Sequence, residues 1–301
     1  MTVTVRAPAK INLHLGVGAP RPDGFHPLVT AYHAVGLCDD VTVADADTWS
    51  VHTKLPDWID PGLLPADGEN IVDRAAELLA GFHGVPRRGL VSVVKAIPVA
   101  GGLAGGSADA AAALVALDRL WDLHTSDTDL LRLAAQLGSD VPFSLVGGTA
   151  LGTGRGELVT PLTDRGTWWW VVVPSPEGLS TPRVYRHFDE LVPDAPERPP
   201  SADEVVAALA SGDPYLLAAA LHNDLELAAV DLRPDLGRLL ERGEEVGALR
   251  GLVSGSGPTC VFLCEGADHA REVAGALTGP EHPVVLTTMG PVAGAHLVEY
   301  A

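Results

Sequence analysis

The stretch "IPVAGGLAGGSADAAAALVAL", residues 97–117, holds the chain's most chemical spacing. Gly101 and Gly106 have the G-x-x-x-x-G interval of a phosphate loop. Such a loop continues with Lys and then Ser or Thr; here Ser107 and Ala108 follow. What remains is a strand, a glycine turn and the start of an Ala-rich helix. Glycine lets backbone approach a ligand with no Cβ in the way. The first N–H groups of a helix have no internal acceptor, and its dipole adds positive potential there. Spacing alone leaves two readings open, an anion site or a tight turn before a helix. The dinucleotide fingerprint G-x-G-x-x-G is absent.

Other residues could act with that loop. Only three of the 20 basic residues are lysines: Lys10, Lys54 and Lys95. A lysine in so Arg-biased a chain marks a place for a compact point charge. Asp140, between Gly138 and Pro142, reads by spacing as a turn cap, and Lys10 as a strand lysine with its head in water. "GSGPT", residues 255–259, is a second glycine turn ahead of a strand. Cys260 and Cys264 fall on one face of that strand and read as buried thiols, because no second Cys or His pair has zinc spacing.

These groups need elements to position them. "TVTVRAPAKINLHLGV" reads as strand, bend at Pro8, strand; "LVTAYHAVGL" and "DDVTVADADTWSVHT" read as further strands. Asn70 predicts an N-cap for "IVDRAAELLAGF", with Asp73 three residues on. "GLVSVVKAIPV" predicts the strand feeding the glycine loop, and Ser107 the start of a helix to about Trp121. Ser126 and Asp129 resemble a capping box for a helix ending at Gly138. "SDVPFSLVGGTALGTGRGE" reads as loop and strand. The second half mixes helices with short apolar strands, so the reading is α+β in two domains, 1–160 and 161–301.

With 47% hydrophobic and 20% charged residues, the chain can fill large cores. A net charge of −19 argues against nucleic-acid or membrane partners, which need a basic face. An anionic ligand must then be attracted locally, by amides, a few cations or a metal. No apolar run reaches the roughly 18 residues of a membrane helix, and "MTVTVRAPAK" does not read as a secretory signal. The expected location is cytoplasmic.

At "PVAGGLAGGSADAAAAL" the chain resembles the second motif of the GHMP kinases, a loop that wraps the phosphates of ATP without a Walker lysine. "APAKINLHL" is similar to the first motif of that family and "GLVSGSGPTCVFL" to the third, in the family's order. "PAKINLHLGVGAPRPDGFHPL" and "GSDVPFSLVGGTALGTGRGE" resemble the branch that phosphorylates a cytidine diphosphate-linked methylerythritol on its 2-hydroxyl. The resemblance implies a two-domain GHMP kinase fold: an N-terminal domain like domain 2 of ribosomal protein S5, and a ferredoxin-like C-terminal domain.

It also implies roles. Asp140 matches the catalytic acid residue and Lys10 the lysine of the first motif. Pro98, Val99, Ala100, Gly101, Gly102, Leu103, Ala104, Gly105, Gly106 and Ser107 match the ATP loop. Asn70 matches a position near the adenine. Asn12, Phe25, His26, Tyr32, Thr181 and Tyr185 match the acceptor pocket, with Phe25 standing where the family often has Tyr. ATP chemistry implies Mg²⁺, for which Ser107 is the candidate ligand; Ala108 replaces a second Ser and offers none. Two rivals stay open at this point. One is a GHMP kinase for homoserine or a mevalonate derivative; the other is a nucleotide-binding regulatory module without catalysis.

Overall fold

The computed structural model describes residues 1–63, 70–99 and 101–299. The first strand, β1 (Thr2–Val17), pairs antiparallel with β2 (Leu28–Ala44) along almost its whole length. β3 (Trp49–Lys54) is followed by α1 (Ile71–His83), β4 (Gly89–Val94) and α2 (Gly105–Leu120). α3 (Asp127–Leu137), α4 (Val141–Val146), β5 (Thr149–Thr153) and β6 (Leu158–Pro161) complete this half. The sheet order in this half is β1-β2-β4-β3, with β5 also on β2 and β6 on β5.

The second half runs β7 (Trp168–Val173), α5 (Thr181–Leu191), α6 (Asp203–Ser211), α7 (Pro214–Ala220), β8 (His222–Asn223), α8 (Glu226–Leu232) and α9 (Pro234–Glu245). It ends with β9 (Arg250–Val253), β10 (Cys260–Cys264), α10 (Ala267–Leu277), β11 (Leu286–Gly290) and β12 (His296–Leu297). Its sheet has the antiparallel order β11-β7-β10-β9, the order of a ferredoxin-like βαββαβ unit. β8 and β12 pair instead with β1, so the second half contributes to both sheets.

Period-two patterning places the chemistry. Val3, Val5, Ala7, Ala9, Ile11 and Leu13 of β1 pack with α2 in the larger core. Lys10 and Asn12 alternate with them and so face the other way, into a cleft. β7 is buried on both sides: Trp168, Trp170 and Val172 join the larger core, Val171 and Val173 the smaller one. Among the described residues, no helix is long and apolar enough to cross a membrane.

Four local expectations change. The strand does not bend into two at Pro8. It continues to Val17, because a register shift between Pro8 and Ala9 places the proline, which has no N–H, at a break in the ladder. The strands expected over 28–37 and 39–53 divide elsewhere: residues 28–44 are one strand, β2, and Trp49–Lys54 form β3. "VPFSLV" is a short helix, not loop, with Pro142 in its first turn and Gly147 closing it. The expected helix at Ser107 opens two residues earlier, at Gly105. Asn70 and Ser126 cap α1 and α3 as their spacing predicts, accepting from the N–H of Val72 and Asp129 respectively.

Candidate active site

A cleft of about 1040 Å³ lies between the two sheets and their helices. That is at the upper end of the roughly 300–1,000 Å³ of ligand pockets. Its walls come from β1, β2, the glycine loop, the residues before α4, α5 and the second glycine turn.

One wall is the glycine loop. Pro98, Val99, Gly101, Gly102, Ala104, Gly105 and Gly106 line the cleft. Leu103 is fully buried and belongs to the core; its carbonyl accepts from the Lys10 N–H at 3.1 Å. Ser107 is half-buried and off the lining, and Ala100 lies outside the described residues. Ala104 takes the N-cap position of α2 with φ +58, a left-handed conformation uncommon for a residue with a Cβ. It has no side chain to cap with, so the first amides of α2 are left for an outside acceptor. A Cβ at Gly106 would meet no protein atom nearer than 4.0 Å, so packing does not demand glycine there; the space it leaves belongs to the cleft. Backbone donors beside an open space are the fit that a phosphate chain requires.

The second glycine turn holds this loop in place. Thr259 N–H donates to the Gly101 carbonyl at 3.2 Å, and Ser254 Oγ to that of Gly102 at 3.2 Å. Gly102 has φ +79, and a Cβ there would sit 2.2 Å from the Ser254 carbonyl oxygen. Gly255, Ser256 and Gly257 reach the cleft, where Ser256 Oγ lies 2.7 Å from Oγ1 of Thr181.

Lys10, Asn12, Tyr32 and Asp140 meet at the centre. Lys10 Nζ is buried, donates to Asn12 Oδ1 at 2.7 Å and lies 3.8 Å from Asp140 Oδ2. Asn12 donates in turn to Thr30 Oγ1 at 2.8 Å, which fixes its carboxamide. Tyr32 is directly opposite Asn12 across the β1–β2 ladder and donates its hydroxyl to Asp140 Oδ1 at 2.9 Å. Burial, then the Asp140 charge, pushes the Tyr32 pKa far above the ordinary phenol range, so Tyr32 stays a donor. Asp140 precedes α4 but makes no cap bond to it, so its carboxylate is not committed to the turn.

At the other end of the cleft, His26 lies against Tyr185, ring centroids 4.9 Å apart, and 2.8 Å from Asp189 Oδ1. Phe25 is half-exposed under the Arg155 guanidinium, 4.8 Å away. Phe25 and Tyr185 both line the cleft. Burial first, and the Asp140 charge second, push the Tyr185 hydroxyl up. Asn70 also lines the cleft, with its oxygen engaged as the α1 cap.

Sequence reasoning did not find the cluster beneath the loop. Lys95 Nζ is bonded to Asp39 and, at 2.6 Å, to Asp109 on α2. Asp39 also accepts from Ala96 N–H at 2.6 Å and Ile97 N–H at 2.9 Å. One buried cation thus ties β2, the end of β4 and α2 together under the glycine loop. Burial lowers the Lys95 pKa, but Asp109 and Asp39 outweigh it and hold it above the ordinary value. Burial raises Asp109 more than Lys95 lowers it, and Asp39 adds to the rise. The signals in the sequence were the rarity of lysine and an acid, Asp109, within the alanine run of α2.

A glycine loop and a buried lysine beside a partly exposed carboxylate share one cleft between two such sheets, in a chain of the GHMP kinase class. Residues 70–148 match the GHMP kinases N terminal domain family and residues 205–280 the GHMP kinases C terminal family. A Nocardioides sp. protein described as 4-diphosphocytidyl-2-C-methyl-D-erythritol kinase is 73% identical over 99% of this chain and 100% of its own. One of that description from Thermobifida fusca is 54% identical over 99% of this chain and 98% of its own. A crystal structure of 4-(cytidine 5'-diphospho)-2C-methyl-D-erythritol kinase superposes with a TM-score of 0.77 at 34% identity, covering 96% of this chain and 99% of that one. The chain belongs to the GHMP kinases and, within them, to the 4-diphosphocytidyl-2-C-methyl-D-erythritol kinase family.

Proposed function

We propose that the chain transfers the γ-phosphoryl group of ATP to the 2-hydroxyl of 4-diphosphocytidyl-2-C-methyl-D-erythritol, releasing ADP, in isoprenoid precursor synthesis. The observation that carries this reading is the triad of Lys10, Asp140 and Tyr32 in one cleft with the glycine loop and with Phe25, His26 and Tyr185. The cleft-lining backbone of Pro98, Val99, Gly101, Gly102, Ala104, Gly105 and Gly106, with the first amides of α2, holds the ATP phosphates. Phe25, His26 and Tyr185 hold the cytosine, with Thr181 and Asn12 on the remaining polar groups of the acceptor.

Phosphoryl transfer runs through a loose transition state, so positioning and charge neutralisation supply most of the rate. Asp140 takes the proton of the attacking hydroxyl. Tyr32 fixes one oxygen of that carboxylate, and Lys10 stands by the other, where it also offsets charge on the moving phosphoryl group. Mg²⁺ would travel on the phosphate oxygens and supply further charge neutralisation there. Among the described residues no group of three His, Cys, Asp or Glu forms a cage for it. That donor set suits an ion held mainly by phosphates and water; Ser107, the ligand candidate of the sequence, lies off the cleft lining and is not assigned to it.

The test is ADP release across a panel of the cytidyl acceptor, homoserine and mevalonate. Turnover with the cytidyl acceptor, and none with the other two, is expected. Asp140→Asn should lower kcat by roughly 10²–10⁴-fold while ATP binding persists. Near-normal turnover in that variant would remove Asp140 from the reaction.

A further inference from the structure

The aromatic end of the cleft contains a carboxylate that the proposed reaction has not used. Thr181, Pro182, Tyr185, Arg186 and Asp189 of α5 all line the cleft, a spacing that puts them on one helical face. Asp189 Oδ1 is 2.8 Å from Nε2 of His26. His26 is 8% exposed. Tyr185 packs on its face, and Phe188, part of the smaller core, meets it edge-on at 6.5 Å. Packing therefore fixes where the imidazole lies.

The hydrogen bond then fixes which nitrogen carries the proton. A carboxylate accepts and does not donate, so Nε2 is the N–H side. Nδ1 makes no hydrogen bond to any described residue, and in the neutral ring it is an acceptor. An acceptor at this point discriminates between pyrimidines. Cytosine carries an amine donor at C4, where uracil carries a carbonyl acceptor. With the opposite tautomer the preference would reverse.

We infer that Asp189 is a positioning residue for base selection. It locks His26 as the Nε2–H tautomer, so that Nδ1 accepts from the cytosine amine and turns uracil away. The inference rests on the cytidine diphosphate reading of the acceptor. No sequence motif points to Asp189; only the fold brings it to His26, 163 positions away.

The test compares wild type, Asp189→Ala and Asp189→Asn by calorimetric titration with CDP and UDP and by steady-state kinetics. Wild type should prefer CDP by tenfold or more, about the effect of one mispaired buried hydrogen bond. Asp189→Ala should bring the two affinities to within roughly threefold and raise KM for the cytidyl acceptor. Its kcat and its KM for ATP should stay within about twofold, since uniform binding alone is lost. Asp189→Asn keeps an oxygen that can accept from Nε2–H, so it should retain most of the preference. An alanine variant that still prefers CDP as strongly as wild type overturns the inference alone. So does one in which kcat and ATP affinity fall together, because Asp189 would then be a general structural support. Wild type that binds neither nucleotide sinks the cytidyl reading, and the inference with it.

Discussion

Tyr32→Phe isolates one atom at the reacting centre. Tyr32 is buried and stacks on Phe143 at 4.8 Å and 25°, so a phenyl ring keeps that packing and only the hydroxyl goes. Asp140 then loses the donor to Oδ1 and keeps Lys10, at 3.8 Å, on Oδ2. A hydrogen bond to a charged group contributes about 1.5–3 kcal/mol. If that energy holds the carboxylate in its productive rotamer, kcat falls by roughly 10- to 150-fold. The Asp140 side chain is 31% exposed, so water can enter and restore part of the bond, which favours the lower part of that range. The assay is coupled ADP release with each substrate varied in turn. KM for ATP should not move, because Tyr32 stands apart from the amide cradle. An unchanged kcat with a raised KM for the acceptor would refute the reasoning. Tyr32 would then touch substrate only, as its sequence motif by itself implies.

Two further outcomes test the frame around the site. Lys95→Met leaves Asp39 and Asp109 buried without their shared cation. Breaking such a cluster should cost about 3–5 kcal/mol, a fall in Tm of roughly 10 °C in calorimetry. Adding Asp109→Asn should recover part of it, and a loss below about 1 kcal/mol would show that the cluster does not brace the cradle. His33 gives a pH signature. Its Nδ1 lies 2.8 Å from Thr149 Oγ1, and burial lowers its pKa to about 4 against an opposing pull from Asp164. Below about pH 6.5 the unfolded chain takes up a proton that the folded chain refuses until about pH 4. Stability should therefore fall across that window as pH drops, by about 3 kcal/mol in all. Urea unfolding of His33→Asn should show a flatter profile over the same range; identical slopes would rule the group out.

The strand, glycine turn and helix of the loop were legible in the sequence because they are contiguous. Strand, glycine turn and helix start follow one another within residues 89–120, and each is set by local propensity. Caps at Asn70 and Ser126 were legible for the same reason. Pro8 misled because a proline signals a break, while the two-strand ladder absorbs it at a register shift. α4 escaped notice because six residues give too little period to separate a helix from a loop. Motif resemblance named Lys10, Asp140, His26 and Tyr185, and they line one cleft.

Only the tertiary structure decided who touches whom. Tyr32 reaches Asp140 across 108 positions, Lys95 reaches Asp39 across 56, and Asp189 reaches His26 across 163. Such contacts leave no periodic trace, because they depend on which sheet edges and helix faces the chain closes against one another. By itself the sequence determined the backbone devices, the α+β class and the types of residue available for chemistry. The fold determined their partners. A carboxylate becomes a base, a brace or a tautomer lock according to the neighbour that packing gives it.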